Sequence, residues 1–301
     1  MRPCVVAPRI GWFLLALVGA ATAIGGLRLL SDDGTEELSE ARSEGEPGAP
    51  SPEPANPPEL LDPIRWLAIG GGEDPASNQV SLEQDLRLAQ EVFGANGAVL
   101  FAGGSERRHV QVADASQPLS LRSQLGDFFD PRPSRPSEYR RTELGSIFDA
   151  RPSTVEAMLE RALSAADTPL LLFFAGHGAP QSDRLDVEFL TWGGYSLQVR
   201  DLIERLEPAE RPVRVVVASC FSGGFAELAF AGGIPGRPVT GDVCGLFSTS
   251  WDREASGCDP NPDRGSQEGY NLHFLYALRG QDRAGEPADV DLDADGQVSL
   301  L

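Results

Sequence analysis

The chain has 301 residues, of which 41% are hydrophobic, so its length allows one large or two small domains with a sizeable core. Its formal net charge of −20 argues against a nucleic-acid partner, because phosphate binding needs a basic face. The sequence contains no internal repeat, zinc-type cysteine pattern, phosphate-binding loop or dinucleotide fingerprint, which argues against those classes of protein.

The first 30 residues predict a membrane-targeting segment. Arg2 and Arg9 precede an uncharged apolar stretch, Ile10–Leu27, whose length lies within the range for a transmembrane helix. The triplet Ala21–Ala23 also matches the cleavage site of a secretory signal peptide, so an uncleaved anchor, which we favour, and a cleaved signal both stay open. Basic residues before the stretch and acidic residues after it orient the amino terminus inward. We therefore expect the rest of the chain in the periplasm, held at the inner membrane, or secreted.

Residues 31–60 predict a disordered linker. The stretch is rich in proline and glutamate, shows no apolar period and cannot bury a core. It should act as an extended, partly stiff spacer. The folded domain is then expected over residues 61–301.

The beginning of this domain predicts two strands and a helix. A strand over Ile64–Ile69 ends in a triple glycine, Gly70–Gly72, which we interpret as a loop that needs positive φ, because the lysine of a phosphate loop is absent. The sequence Ser81–Gln84 matches a capping box and predicts a helix over about Leu82–Phe93. A second strand is predicted over Ala98–Phe101.

A long polar segment, residues 103–150, predicts a surface excursion near the functional site. It contains a cluster of prolines, and we expect its side chains to be exposed and able to contact a substrate. His109 lies in this segment beside two arginines, and the sequence assigns it no role. A helix from about Ser153 to Ala165 follows and leads into the next strand.

Two almost wholly apolar runs predict strands that are buried on both faces of a parallel sheet. Leu170–Ala175 is followed by a glycine, His177 and a second glycine, and Val213–Ser219 is followed by Cys220. Reactive groups in open α/β sheets collect outside the carboxyl ends of the strands. We therefore expect the thiol and the imidazole at the same edge of the sheet.

A short strand and a helix are predicted between these two runs. The strand covers Val187–Trp192, and the helix covers Val199–Leu206. This alternation predicts an α/β fold with a mostly parallel central sheet and helices on both faces.

The pair of His177 and Cys220 suits nucleophilic catalysis. A thiolate is a far better nucleophile than a thiol, so a base must remove the thiol proton, and histidine does this near neutral pH. Glycines beside both residues let backbone amides approach a reacting carbonyl, so we expect the amides of Gly178 and Cys220 to stabilise an oxyanion. A lone buried cysteine or histidine is more often structural, but here the two occur together.

These glycine-flanked motifs resemble those of the caspase-like cysteine peptidases, the group that holds caspases, metacaspases and legumains. Phe173–Gly178 is similar to the His-Gly motif in its metacaspase-like form, and Ala218–Phe225 is similar to the nucleophile motif of bacterial legumain-like (C13-type) members. Phe247–Cys258 and Tyr270–Leu278 resemble the strand, loop and helix that follow there. The resemblance covers residues 64–300 and implies a three-layer α/β/α sandwich with endopeptidase activity. The Gln-Ala-Cys signature of caspases is absent, so a preference for aspartate is not implied.

The resemblance also implies substrate-binding residues. In that group, the strand after the nucleophile lines the pocket for the residue before the cleaved bond, which points here to Ser250, Trp251 and Asp252, with Ser219 beside the nucleophile. Trp251 is equally consistent with a core position. An acidic residue such as Asp252 would favour a basic substrate side chain, whereas a legumain-like site would favour asparagine, and the sequence leaves both open.

Two further features are candidate structural sites. Cys244 and Cys258 would close a short loop as a disulfide in an oxidising compartment, with two unpaired thiols as an equal alternative. Asp291, Asp293 and Asp295 match the start of a calcium-binding loop, which makes calcium a candidate ligand of the tail. An acidic turn before a helix explains the same tail, and we prefer that interpretation.

The sequence therefore predicts a cysteine endopeptidase that acts on a protein or peptide substrate and requires no cofactor. Cys220 would attack the peptide carbonyl to form an acyl-enzyme, and His177 would protonate the leaving amine and then activate water. The alternative is a catalytically silent, membrane-tethered scaffold or binding module with the same fold. A serine esterase that uses Ser222 is a third hypothesis, but the sequence lacks the Gly-x-Ser-x-Gly elbow.

Overall fold

The computed structural model describes residues 60, 62–114, 136–164 and 168–291, which contain both strands and helices. The strands are β1 (Trp66–Gly71), β2 (Gly97–Phe101), β3 (Arg108–Ala113), β4 (Ser137–Arg141), β5 (Leu170–Gly176), β6 (Gly178–Ala179), β7 (Glu188–Thr191), β8 (Tyr195–Gln198), β9 (Val213–Ala218) and β10 (Val243–Phe247). The α-helices are α1 (Val80–Phe93), α2 (Pro152–Ser164), α3 (Val199–Leu206) and α4 (Tyr270–Leu278). Short 3-10 helices lie at Pro75–Ser77, Arg184–Asp186, Ser222–Ala229 and Ala231–Gly233.

The central sheet contains β10, β9, β5, β1 and β2, in this order and all parallel. The two apolar runs predicted as buried strands form β5 and β9, which are neighbours near the middle of the sheet. The predicted α/β fold with a mostly parallel central sheet is confirmed. The helices around the sheet are compatible with a three-layer sandwich.

Two consecutive phenylalanines of β5 show that the sheet is covered on both faces. The ring of Phe173 packs against Phe93 of α1 and Phe274 of α4, with ring centroids 5.5 and 6.2 Å apart. The ring of Phe174 packs against Phe189 of β7, with the centroids 5.2 Å apart. Because successive side chains of a strand point to opposite faces, β5 contributes to the core on both sides of the sheet.

The predicted capping box at Ser81–Gln84 is wrong. Helix α1 begins at Val80, so Ser81 lies inside the helix, and the residue at the N-cap position is Gln79. The hydroxyl of Ser81 instead accepts a hydrogen bond from the N–H of Asp259 at 2.8 Å, and the Ser81 N–H donates to the Asp259 carbonyl at 3.2 Å. The start of the helix is therefore tied to a loop far along the chain, a partner that local sequence does not reveal.

Residues 103–150 were predicted to form a surface excursion, but the described part of this segment is only partly exposed. β3 and β4 pair as an antiparallel sheet, and His109, Val110 and Ile147 are buried. The polar composition was misleading because charged residues of the segment pair with a buried carboxylate of α1. Residues 115–135 lie outside the described residues.

That carboxylate belongs to Glu83. It accepts hydrogen bonds from the guanidinium of Arg140 at 3.0 and 2.6 Å, from the hydroxyl of Thr142 at 2.7 Å and from the N–H of Glu143 at 2.7 Å. Burial alone would raise the pKa of Glu83, but these donors together lower it. Glu83 therefore fixes β4 and the residues after it against α1.

A small antiparallel sheet of β6, β7 and β8 follows β5 directly. The N–H of Leu190 in β7 donates to the carbonyl of His177 at 2.9 Å. The backbone that leaves the carboxyl end of β5 is therefore held in one place by this second sheet.

Both ends of the chain extend beyond the described residues. Residues 1–59 hold the predicted targeting segment and nearly all of the predicted linker. Residues 292–301 include Asp293 and Asp295, two of the three predicted calcium ligands. Within the described part of the chain, no helix combines the length and the apolar character needed to cross a membrane.

Candidate active site

His177 and Cys220 occupy equivalent positions at the ends of neighbouring strands. β5 and β9 are paired in parallel, with Ala175 opposite Ala218. From that pair the chain continues by two residues to His177 on one strand and to Cys220 on the other. Since adjacent strands lie about 4.8 Å apart, the register brings the imidazole and the thiol to the same edge of the sheet.

The imidazole of His177 is oriented by the segment that follows β1. Its Nε2 lies 2.8 Å from the carbonyl oxygen of Ser77 and 2.9 Å from Oε1 of Gln79. A carbonyl oxygen only accepts hydrogen bonds, so Nε2 carries the proton and Nδ1 of the neutral ring holds the free lone pair. Burial lowers the pKa of His177, against the opposing effects of the Ser77 hydrogen bond and the charges of Glu73 and Asp74. The ring is therefore neutral near pH 7 and has a basic nitrogen available.

The thiol of Cys220 lies in a strained turn. Phe221, the next residue, has φ 60° and ψ 12°, a left-handed conformation that costs a bulky residue about 1 kcal/mol or more. The N–H of Phe221 donates to the carbonyl of Arg253 at 2.7 Å, and the N–H of Ala255 donates to Sγ of Cys220 at 3.3 Å. The loop after β10 therefore holds the turn, and strain of this kind is concentrated at functional sites.

The backbone of Gly178 lies directly against Cys220. A β-carbon on Gly178 would be 2.2 Å from the carbonyl oxygen of Cys220 and 3.0 Å from the hydroxyl oxygen of Ser219, so only glycine fits. The amides of Gly178 and Cys220, the predicted oxyanion donors, thus belong to adjoining pieces of backbone. The amide of Phe221 is bonded to Arg253 and does not compete with them.

A cavity of about 20 Å³ lies beside Cys220 and has room for about one water molecule. Asp85, Cys258 and Asn271 are among the residues that line it. The carboxylate of Asp85 pairs with Arg264 and accepts a hydrogen bond from the Asn271 amide at 2.8 Å, while burial raises the pKa of Asp85. The cavity is too small for a substrate side chain, so a substrate would lie outside it.

Ser250 and Trp251, two of the predicted substrate-binding residues, lie against the turn that follows Cys220. A β-carbon on Gly223 would be 2.6 Å from the backbone nitrogen of Trp251 and 2.8 Å from the α-carbon of Ser250. Trp251 is half-buried, and the guanidinium carbon of Arg184 lies 5.1 Å from its ring centroid. Arg184 is thus a charged neighbour of the site that the sequence did not indicate.

The other two predicted substrate-binding residues differ in exposure. Asp252 is exposed, and the hydroxyl of Ser250 donates to its carboxylate at 2.7 Å. This hydrogen bond is the main reason that the pKa of Asp252 is lowered. Ser219 is buried, and its hydroxyl donates to the carbonyl of Cys220 at 3.2 Å, so its side chain supports the turn from within.

The disulfide considered for Cys244 and Cys258 is not formed. Cys244 is the second residue of β10, opposite Arg214 of β9, whereas Cys258 lines the cavity beside Cys220. Cys244 thus lies near the amino end of β10, whereas the cavity that Cys258 lines lies beyond the carboxyl end of the neighbouring β9. Burial, with smaller effects of Cys220 and nearby carboxylates, raises the pKa of Cys258 to about 12. Cys258 is therefore a protonated thiol at neutral pH.

The placement of Ser222 argues against the serine-esterase hypothesis. Ser222 is buried, its Oγ lies 3.1 Å from Oγ of Ser248, and it accepts a hydrogen bond from the N–H of Thr249 at 3.1 Å. A nucleophile must reach its substrate, and this hydroxyl instead joins two loops.

The described residues contain no group of three or more histidine, cysteine, aspartate or glutamate side chains placed to hold a metal ion. Of the predicted calcium ligands, Asp291 is the last residue before the undescribed tail that contains Asp293 and Asp295. The calcium site therefore stays a prediction.

The residues that orient His177 were missed by the sequence analysis. Ser77 acts through its carbonyl, which every residue has, so no sequence signal identifies it. Gln79 is the residue before α1, which begins at Val80, whereas the sequence predicted a start at about Leu82. His109, which received no role, is buried against Asn78, the residue between Ser77 and Gln79.

No family model matches the sequence, and no curated protein matches it at a significant level. The resemblance to caspase-like cysteine peptidases therefore depends on the motifs around His177 and Cys220. The parallel sheet and the positions of these two residues in it are observations independent of that resemblance.

Proposed function

We propose that this protein is a cysteine endopeptidase of the caspase-like type, with Cys220 as the nucleophile and His177 as the base. The observation that carries the proposal is the register of β5 and β9, which sets the two residues side by side at the carboxyl edge of a parallel sheet. The lowered pKa of His177, the strained turn at Phe221 and the close fit of Gly178 support it.

The first chemical step forms a thioester. Nδ1 of His177 takes the thiol proton while Sγ of Cys220 attacks the peptide carbonyl carbon, and the amides of Gly178 and Cys220 donate to the oxyanion. The C–N bond then breaks, and the imidazolium gives its proton to the leaving amine. The products of this step are the acyl-enzyme and a free amine.

The second step releases the acid. Nδ1 of His177 takes a proton from water, the hydroxide attacks the thioester carbonyl, and the C–S bond breaks as the thiolate recovers the proton. Ser77 and Gln79 hold the Nε2–H throughout, so the same nitrogen handles the proton in both steps. The chemistry uses no cofactor, and the substrate is a protein or peptide.

Peptide hydrolysis by the full-length protein tests the proposal. Fluorogenic peptides that vary at the residue before the cleaved bond are offered to wild type, Cys220→Ala and His177→Ala. We expect cleavage by wild type and a kcat/KM lower by about 10³-fold or more in either variant. Cys244→Ala is a matched control, because this cysteine lies near the amino end of β10, and it should retain wild-type activity.

The pH profile tests the role of His177 separately. Activity should rise with pH as His177 loses its proton, and because burial lowers the pKa of His177, this acid limb should lie below pH 6.5.

Full activity in Cys220→Ala would refute the proposal. If wild type cleaves no peptide while Cys220 still reacts with iodoacetamide, the catalytically silent scaffold becomes the better account.

A further inference from the structure

His109 is a buried histidine that the proposed mechanism does not use. It is 1% exposed and lies between the rings of Phe101 and Trp192, with centroids 5.7 and 5.2 Å away. Its Nε2 lies 2.6 Å from the carbonyl oxygen of Gly104, so Nε2 carries the proton. Nδ1 is then an acceptor, and Nδ2 of Asn78 donates to it at 2.8 Å. The tautomer of His109 is thus fixed by its two partners.

Asn78 uses its whole side chain to fix the segment after β1. Besides the bond to Nδ1 of His109, its Nδ2 donates to the His109 carbonyl at 3.1 Å, and its Oδ1 accepts from the N–H of Gly72 at 3.0 Å. The carbonyl of Asn78 also accepts from the N–H of Gln111 in β3 at 2.8 Å. The residue is 0% exposed, so these bonds have no competition from water.

The two residues that flank Asn78 are those that orient His177. The carbonyl of Ser77 and Oε1 of Gln79 both lie within hydrogen-bond distance of Nε2 of His177. A shift of Asn78 therefore moves both acceptors together. We propose that His109 is a positioning residue for His177 and acts through Asn78. The inference rests on the proposed function in one respect, since it takes His177 as the base.

The arrangement requires His109 to be neutral. A proton on Nδ1 would face the amide of Asn78, donor to donor, and would break the contact. Burial lowers the pKa of His109, with the Gly104 bond and the charge of Glu83 opposing this effect and Arg107 adding to it. The neutral ring is therefore the form that holds Asn78 at neutral pH.

Two substitutions at His109 separate positioning from packing. His109→Asn places an amide oxygen near the former Nδ1, which keeps an acceptor for Asn78 but loses the donor to Gly104. His109→Gln reaches the former Nε2, which keeps the donor to Gly104 but leaves Asn78 without its acceptor. Each variant loses the ring and one hydrogen bond, so urea unfolding should give similar stabilities. Only His109→Gln should loosen the hydrogen bonds that orient the His177 ring.

Two measurements on the full-length protein report the outcome without peptide cleavage. Long-range ¹H–¹⁵N NMR shows which nitrogen of each imidazole carries the proton, and the chain has only three histidines to assign. The rate of Cys220 alkylation by iodoacetamide at pH 7 shows whether His177 still acts on the thiol. We expect a single Nε2–H form of His177 in wild type and His109→Asn. In His109→Gln we expect a mixture of His177 tautomers, and we expect Cys220 to be alkylated more slowly by about tenfold or more.

An unchanged His177 tautomer and alkylation rate in His109→Gln would overturn the inference. An equal loss in both variants would overturn it too, because that result indicates packing alone. If His109→Gln does not fold, the wild-type spectrum decides: Nε2–H on both His109 and His177 supports the inference, and a proton on Nδ1 of His109 at pH 7 overturns it. If wild type cleaves no peptide but the variants separate as expected, the peptidase proposal fails and the positioning of His177 stands.

Discussion

Gly72 lies so close to Ser77 that a β-carbon on Gly72 would be 2.3 Å from the Ser77 carbonyl oxygen. That oxygen is the acceptor for Nε2 of His177. The N–H of Gly72 also donates to the side chain of Asn78. The last residue of the triple glycine therefore belongs to the support of His177, and the lack of a side chain there permits the close approach.

The substitution Gly72→Ala should impair catalysis and also destabilise the fold, because the atoms that the added methyl group meets belong to the backbone. The added methyl group must displace the Ser77 carbonyl, and a reacting group that moves by about 1 Å loses up to a hundredfold in rate. We expect kcat/KM for peptide cleavage to fall by about 10- to 100-fold, mainly through kcat. Steady-state kinetics and urea unfolding of the same sample measure the two effects.

Gly145→Ala is the matched control for this substitution. A β-carbon on Gly145 would meet no atom within 4 Å, and its backbone is outside the left-handed region. Its activity should equal that of wild type, and its stability should change by less than about 0.5 kcal/mol. Wild-type kinetics in Gly72→Ala would show that the Ser77 carbonyl has no influence on His177.

Cys220 and Cys258 line the same cavity, yet they should differ in reactivity. Burial is the main reason that the pKa of Cys258 is raised to about 12, so at pH 7.5 its thiolate fraction is about a thousandfold below that of an ordinary thiol. We expect iodoacetamide to label Cys220 and to spare Cys258, as measured by peptide mapping with mass spectrometry. Cys220→Ala should leave Cys258 unlabelled as well. Equal labelling of the two cysteines in wild type would contradict the prediction.

The central sheet could be predicted from the sequence because its inner strands are continuous apolar runs. The runs that form β5 and β9 are apolar enough to be buried on both faces of a sheet, and few other kinds of secondary structure accommodate such short apolar runs. β10 was misplaced: the resemblance put a strand at the start of Phe247–Cys258, whereas β10 ends at Phe247. Its half-exposed residues, which include a cysteine and a glycine, give no comparable apolar signal.

The site could be predicted only in part. The placement of His177 and Cys220 at one edge of the sheet follows from the convergence of parallel strand ends, which the two apolar runs indicate. The interactions that orient His177 could not be predicted in this way. They depend on a backbone carbonyl and on the contact of Asn78 with His109, 31 residues away. Such contacts arise from tertiary packing and leave no local pattern.

Glu83→Gln should show how strongly α1 depends on its buried ion pair. The substitution removes the charge that Arg140, Thr142 and the Glu143 amide surround, and we expect a loss of about 2–3 kcal/mol at pH 7 in urea unfolding. The pKa of Glu83 is lowered in the fold, so its stabilising effect is present above its ordinary pKa of 4.5 and is lost as the pH falls through the folded-state value. The difference between wild type and variant should therefore shrink below pH 4.5.

Glu143→Gln is the control for this prediction. The Glu143 carboxylate contacts Arg87 and Arg140 as well, but its side chain is 59% exposed. An exposed ion pair contributes little, so we expect a loss below about 1 kcal/mol. If the two variants lost the same free energy of unfolding, burial would not be the reason that the Glu83 carboxylate stabilises the fold.

Arg211 joins the amino ends of β1 and β5 to the carboxyl end of α2 from a fully buried position, with 1% of its surface exposed. Its guanidinium donates to the carbonyl of Ile64 at 3.0 Å, of Thr168 at 2.7 Å and of Pro169 at 3.2 Å, and also to that of Ala162. These carbonyls lie just before β1, just before β5 and in the last turn of α2. One side chain therefore supplies hydrogen bonds to four backbone carbonyls.

Arg211→Met should destabilise the fold and leave the site unchanged. Methionine fills much of the volume but leaves four carbonyl oxygens without their donor, so we expect a loss of about 3 kcal/mol or more in urea unfolding. Arg211 lies at the opposite end of the strands from His177 and Cys220, so iodoacetamide should alkylate Cys220 of the folded variant at the wild-type rate. An unchanged free energy of unfolding would contradict the structural role of Arg211. Slower alkylation in the folded variant would instead show that the amino ends of the strands influence the site.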